Sequence, residues 1–164
     1  MSAGLFEFMV DQRVRLAAHR EWRVPLSSEG GLPASLLYMH ESAQLRTVED
    51  YQRYLKRLAG VPAVFDQGIA NLRVGLKDGF TLPSAVIPGL LPIISGMQWA
   101  KPEDCPLWTP FANFPAGIGA ADREHLIAAG RTVMQQQVLP AYVHFAKFFA
   151  EDYAPHARQT LGAS

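Results

Sequence analysis

The residues with the clearest potential for chemistry are a histidine and a glutamate in succession, His40 and Glu41. In the zinc motif His-Glu-x-x-His, two histidines one helical turn apart bind the metal and the glutamate activates water. The second histidine is missing here, because position 44 is Gln44. Catalytic zinc normally has three protein ligands, and nothing near His40 supplies them. The sequence therefore predicts no metal site at this position.

The remaining histidines also lack partners at a spacing that indicates a site. Glu124 and His125 fall in a predicted helix without a further metal ligand, so we interpret them as solvated helix residues. His19, His144 and His156 are scattered, with no serine, cysteine or aspartate at a spacing typical of a nucleophile and its base. They could still meet in the folded chain. From sequence we assign no catalytic, cofactor-binding or metal-ligating residue.

Glycine-rich stretches and the single cysteine have structural interpretations. Gly30-Gly31 and residues 115–120 (PAGIGA) lack the Lys-Ser/Thr ending of a phosphate-binding loop and do not follow a predicted strand, so we expect turns. Cys105 cannot form an intramolecular disulfide or a thiolate metal cluster. We expect it to be a small, partly buried thiol beside Pro106.

Composition limits the partners that the chain can have. Its 164 residues fit one domain, and 15 basic residues balance 15 acidic ones, for a net charge of +0. No long-range field would attract nucleic acid or anionic lipid, whereas self-association or a covering partner is easier without net repulsion. Glu7 and Asp11 interrupt the apolar N-terminus, so we find no secretion signal and take the cytoplasm as the default location.

The first half of the sequence predicts amphipathic helices separated by one long loop. Residues from about 3 to 22 have apolar side chains at helical spacing, and residues 24–46 predict a loop with a short helical turn near 36–39. Thr47 is typical of an N-cap, and a second helix continues from Gly60 to a stop at Gly79. We expect an αα-hairpin or one long kinked helix. The predicted core positions of the two helices are Tyr51, Tyr54, Leu55, Leu58, Phe65, Ile69, Leu72 and Leu76.

The second half predicts a buried apolar helix, a proline-rich wrap and a long final helix. Residues 79–100 carry no charge, but Pro83, Pro88 and Pro92 break them, which favours a kinked helix packed in protein over a membrane span. Residues 97–119 predict irregular chain that wraps across a surface. The last helical region, about 121–153, should be kinked or divided at Pro140. Without strand patterning, the predicted fold is all-α, an irregular helical bundle with αα-hairpins and long proline-rich loops.

Three blocks resemble the bacterial family catalogued as domain of unknown function 885. They are residues 24–31 (VPLSSEGG), 47–83 (TVEDYQRYLKRLAGVPAVFDQGIANLRVGLKDGFTLP) and 138–164 (VLPAYVHFAKFFAEDYAPHARQTLGAS). The most specific part is the T-x-E-D-Y segment that runs on to the turn at Gly79–Pro83.

The resemblance implies a mostly helical protein similar to zinc-dependent peptidases, whose chains are longer and carry a His-Glu-x-x-His helix in a later portion. Residues 1–164 would then be a single helical region, an N-terminal part of a longer protein. No metal ligand transfers to this sequence, so zinc is implied only for the full-length family. The implied partners are the remainder of the polypeptide or a second copy, and a peptide substrate.

Two functions remain open from sequence. The first is a helical scaffold that forms part of a metallopeptidase-like substrate cleft and is inactive by itself, because the metal motif is absent. The second is a stand-alone helical protein-interaction module that uses an exposed aromatic or apolar face for a protein partner.

Overall fold

The computed structural model describes residues 21–27 and 30–160. The helix predicted over residues 3–22 lies almost wholly outside them. The seven α-helices of the described part are α1 (Leu32–Leu37), α2 (Val48–Ala59), α3 (Val61–Asp78), α4 (Ile87–Ser95), α5 (Thr109–Ala112), α6 (Ala120–Val133) and α7 (Leu139–Phe148). Short 3-10 turns join several of them, and an isolated bridge pairs Pro83 with Arg158. The all-α prediction is confirmed.

Helix α2 begins where the sequence predicts it, at a capping box. The amide of Asp50 donates to the Thr47 hydroxyl oxygen (3.3 Å), and the Thr47 amide donates to the Asp50 carboxylate (2.9 Å). Such reciprocal bonds satisfy amides that a helix start leaves without partners. Arg53 pairs with the same carboxylate. Tyr51, Tyr54 and Leu58 are buried as expected, whereas Leu55 is only half-buried.

Helices α2 and α3 form one long kinked helix, which is one of the two arrangements predicted from sequence. Gly60, the one residue between them, keeps right-handed helical angles (φ −81°, ψ −12°), and Pro62 lies in the first turn of α3. Gly79 ends α3 in the left-handed region (φ 72°), where glycine has no steric penalty. Phe65, Ile69 and Leu72 are buried, and Leu76 is half-buried.

The last helical region lies beside α2 and α3 and runs in the same direction. Helix α2 packs on α6 and α3 packs on α7. The Phe65 ring lies 4.8 Å from the Tyr142 ring and 5.0 Å from the Phe145 ring, and the Tyr153 hydroxyl accepts the Leu82 amide beyond the end of α3 (2.8 Å). The first helix of one segment, α2, therefore packs on the first helix of the other, α6, and the second helices, α3 and α7, pack on each other.

Pro140 divides the α-helix without stopping the helical chain. Residues Met134–Val138 form a π-helical turn, and α7 then begins at Leu139, so Pro140 falls in its first turn. A proline there need not donate an amide. A second π turn, Phe149–Tyr153, follows α7. The aromatic residues of this region, Tyr142, Phe145, Phe149 and Tyr153, are all buried.

Two segments differ from the sequence predictions. The turn expected at 36–39 is a longer helix, because α1 (Leu32–Leu37) continues into a 3-10 turn at Tyr38–His40. The stretch 97–119 does not only wrap a surface, since Leu107, Trp108, Phe111 and Ile118 are buried. Four prolines prevent a long helix there, yet short 3-10 turns and α5 still direct these side chains into the core.

The uncharged stretch 79–100 packs one face into the protein. Ile87, Leu90 and Ile94 of α4 are buried, and Pro92 lies within the helix. In the part of the chain that the structure describes, no helix combines the length and apolar character needed to cross a membrane.

We predict that Leu58→Ala lowers the free energy of unfolding by about 2–5 kcal/mol, because it leaves a cavity beneath a side chain that is fully buried. Leu55→Ala is the matched control. It removes the same atoms from a half-buried position on the same helix and should cost clearly less. Urea unfolding of both variants tests this, and equal losses would contradict the packing described.

A second prediction concerns pH. Hydrogen bonds from the backbone amides of Arg46 and Thr47 lower the pKa of Asp50 from 3.8 to about 2. A carboxyl with a lowered folded-state pKa stabilises the fold above its unfolded pKa, and this contribution is lost as pH falls from about 4 towards 2. Asp50→Asn should therefore be less stable than the natural chain near neutral pH. Urea midpoints should show that difference shrinking by about pH 2, and a constant difference would contradict the capping role.

Candidate functional site

The described residues that lead from the 3-10 turn Glu21–Arg23 to the first residue of α1 lie beside α3. We call residues 24–27 and 30–32 the crossing segment. Its ends are drawn together by the Leu32 amide, which donates to the Pro25 carbonyl (2.8 Å), and by the Gly31 amide, which donates to the Ser27 hydroxyl oxygen (3.0 Å). Gly31 has φ 60°, and a β-carbon there would lie 2.5 Å from the Leu26 α-carbon. The tight fold of this segment therefore depends on glycine.

Two glycines of α3 allow the crossing segment and its neighbours to approach the helix backbone. A β-carbon on Gly68 would lie 2.5 Å from a methyl carbon of Leu32, and one on Gly75 would lie 2.6 Å from the Phe80 carbonyl and 3.0 Å from the Arg23 carbonyl. Positions seven apart lie on nearly the same helix face. At these two positions the missing side chains leave room for other chain segments to pack close to α3.

Arg23 fixes the chain just before the crossing segment. Its guanidinium lies 3.0 Å from the Asp78 carboxylate and stacks over the Phe80 ring, 4.1 Å from the ring centre. At the other end, the buried Tyr142 hydroxyl donates to the Pro33 carbonyl (3.0 Å). The crossing segment is therefore held at both ends by contacts to α3 and α7.

Two grooves lie beside the crossing segment. The first, which we call the apolar groove, has a volume of about 360 Å³ and is lined by Pro25, Leu32, Ala63, Val64, Gln67, Gly68 and Asn71. The second, the turn groove, has about 300 Å³ and is lined by Val24, Leu26, Phe80, Thr81, Leu82, Pro83 and Arg158.

The two grooves suit apolar groups. The lining of the apolar groove includes no charged residue, and its two amides bond each other, Gln67 donating to Asn71 (2.9 Å). In the turn groove Arg158 is the charged lining residue. The hydroxyl of Thr81, which is buried, accepts the Arg158 amide (2.9 Å). Such walls can bind side chains, and the residues that line the two grooves include no carboxylate, imidazole or thiol for bond breaking.

A third groove, of about 260 Å³, lies where the breaks of the two long helical segments meet. Pro62 lies on one side and Pro140 on the other, and the rim includes Asp66, Gln137 and the exposed His144. The sequence predicts no such grouping, because these residues are about 80 positions apart and meet only through the packing of α3 on α7. A carboxylate and one imidazole without a further ligand do not form a metal site.

The histidines singled out from sequence do not come together in one place. The half-buried His40 has its Nδ1 2.7 Å from the Leu37 carbonyl, and the exposed His156 has its Nδ1 2.8 Å from the Asp152 carbonyl. Glu124 and His125 are exposed on α6, as expected. His19 lies outside the described residues.

The described residues do not fit a metal centre, and Cys105 is not set up for reaction. Within residues 21–27 and 30–160, no group of three or more His, Cys, Asp or Glu side chains is placed to hold a metal ion. We therefore assign no zinc-binding role to these residues. Cys105 is buried, and burial raises its thiol pKa to about 11, which disfavours the reactive thiolate.

Comparison with known protein families gives one match that extends over the whole chain. The model of a bacterial protein family of unknown function, DUF885, matches residues 1–164. The chain belongs to this family. The match includes the three blocks that carry the resemblance, residues 24–31, 47–83 and 138–164. No curated protein and no solved structure matches the chain.

We predict that Gly75→Ala destabilises this DUF885 chain by about 1–3 kcal/mol, because a β-carbon there overlaps backbone atoms that cannot rotate away. Gly89→Ala is the control. Gly89 is also helical but has open space around its β-carbon position, so alanine should be neutral or stabilise by up to about 1 kcal/mol. Thermal unfolding of both variants tests the close approach, which a tolerated Gly75→Ala would disprove.

Proposed function

We propose that this chain forms one wall of the substrate cleft of a hydrolase similar to zinc-dependent peptidases, and that the metal centre belongs to sequence outside these 164 residues. The chain is inactive by itself in this proposal. The observation that carries it is the pair of grooves beside the crossing segment, since the family-like block at residues 24–31 contributes to both. Pockets between helices and lined by loops are common binding sites.

The proposed substrate is a peptide with apolar side chains. Side chains on one face of an extended peptide recur about every 6–7 Å, so a peptide of several residues could place one apolar side chain in each groove. The Gln67 and Asn71 amides retain hydrogen-bonding capacity for a peptide backbone beyond their mutual bond. The uncharged lining of the apolar groove disfavours acidic and basic side chains, because they would lose hydration without a partner.

Peptide binding by the full chain tests the groove. We expect an acetylated and amidated Leu-Ala-Leu-Ala-Leu-Ala peptide to shift the amide NMR signals of residues 24–32, 63–71 and 80–83, without being cleaved. Val64→Glu should abolish these shifts, because Val64 lines the groove. Val74→Glu should not, since Val74 is similarly exposed on the same helix (38% against 40%) but lies outside the groove lining. Shifts elsewhere, none at all, or cleavage of the peptide would contradict the proposal.

The reading frame of the gene gives a second test. Coding sequence that continues into a helix with the His-Glu-x-x-His motif would support a cleft wall. A stop codon after Ser164 would instead favour the protein-interaction module. The exposed large apolar side chains of the described residues are compatible with that alternative, namely Trp22, Tyr38, Val64, Val74, Val86, Ile93 and Val143.

A further inference from the structure

A groove on the flank of α2, next to its buried stripe, is lined by two arginines one helical turn apart, Arg53 and Arg57. It has a volume of about 340 Å³ and lies between residues 42–45 and this flank of α2. We call it the basic groove. Its full lining is Ser42, Ala43, Gln44, Leu45, Asp50, Arg53, Tyr54 and Arg57.

The acidic residue of the basic groove is already neutralised. The Asp50 carboxylate accepts the amides of Arg46 and Thr47 and pairs with Arg53. The Arg57 guanidinium, by contrast, makes no hydrogen bond or ion pair to a described residue. The groove therefore has one positive charge without a countercharge.

The position of Arg57 is only partly explained by helix stability. Cations in the last turn of a helix interact favourably with its dipole, and Lys56 and Arg57 both occupy the last turn of α2. However, like charges one turn apart, such as Arg53 and Arg57, are mutually destabilising. An anion bound between them would remove this repulsion, because each guanidinium can donate two parallel hydrogen bonds to a carboxylate or phosphate.

The uncharged residues of the basic groove indicate which groups of a ligand would lie beside its anionic group. Ala43 and Leu45 are apolar, and the ring of Tyr54 forms a fixed floor because its buried hydroxyl donates to the Leu107 carbonyl (2.8 Å). Burial raises the Tyr54 pKa, and the nearby Arg57 charge opposes that rise, which is consistent with a guanidinium facing this floor. The exposed Gln44 amide adds a neutral donor at the rim.

We propose that the basic groove binds the carboxylate of a small organic acid or peptide C-terminus, with Arg57 and Arg53 as donors and Leu45 and Tyr54 against an apolar substituent. This site is independent of the crossing segment, so it does not rest on the proposed cleft. The size of the groove matches small ligands and single residues rather than a folded partner.

Titration of the full chain with N-acetyl-leucine tests the carboxylate, and N-acetyl-leucinamide is the matched uncharged probe. We expect saturable shifts of residues 42–45 and 53–57 in amide NMR spectra with the acid and at least about tenfold weaker binding of the amide. Inorganic phosphate is a third probe. If it binds more tightly than N-acetyl-leucine, the groove is a phosphate site and the carboxylate assignment is wrong.

Two charge variants distinguish specific binding in the basic groove from nonspecific attraction of an anion to a positively charged surface. Arg57→Gln should weaken N-acetyl-leucine binding by at least about tenfold. Lys56→Gln, the same change of charge at an exposed neighbour outside the groove lining, should weaken it by less than about twofold. Urea unfolding should show that both variants remain folded, since both side chains are exposed. Equal effects of the two substitutions, or no saturation with the natural chain, would overturn the proposal.

Discussion

The close approach of neighbouring chain segments to the backbone of α3 positions the apolar groove and the turn groove of this DUF885 chain. Gly68 and Gly75 remove the side chains that would otherwise hold Leu32, Arg23 and Phe80 away from the helix. Interiors pack at near-crystalline density, so one added methyl group at such a contact must displace its neighbours. The apolar groove and the turn groove both depend on the crossing segment staying in this position.

Buried tyrosines connect the helical core to the irregular segments around it. Tyr142, Tyr54 and Tyr51 donate their hydroxyl groups to carbonyls of Pro33, Leu107 and Pro110, respectively, and Tyr153 accepts the amide of Leu82. These bonds satisfy polar groups that would be costly to bury alone. No buried side-chain nitrogen or oxygen of the described residues lacks a partner. The same aromatic residues therefore fill the core and fix neighbouring segments, and two of them, Tyr142 and Tyr153, fix chain next to or within the lining of a groove.

Local signals in the sequence were sufficient for the helices but not for the grooves. The Thr47 cap, the apolar stripe after it and the stop at Gly79 predicted α2 and α3, because each signal acts within a few residues. The burial of Leu107 and Phe111 was missed. The prolines in residues 97–119 predict that no long helix forms there, but they do not predict which of the neighbouring side chains point into the core. Two glycines seven apart in α3 were a readable sign of close packing. No local pattern could have placed Leu32 and Arg23 against them, nor brought Asp66 and His144 to the lining of one groove.

The two arginines of the basic groove show the same difference between what sequence predicts and what only the fold shows. Arg53 and Arg57 are visible in the sequence as ordinary cations of an amphipathic helix. The sequence predicts the cap at Thr47, but only the fold shows that Asp50 also accepts the Arg46 amide and that residues 42–45 form a groove with α2.

Amide hydrogen exchange of the full chain tests most directly whether the crossing segment is a fixed wall. The Leu32 amide, which donates to the Pro25 carbonyl, should be strongly protected from exchange, because this bond draws the ends of the crossing segment together beside α3. Exchange of Leu32 at the rate of an unstructured peptide, with α3 still protected, would contradict the account, since neither groove would then have a stable lip.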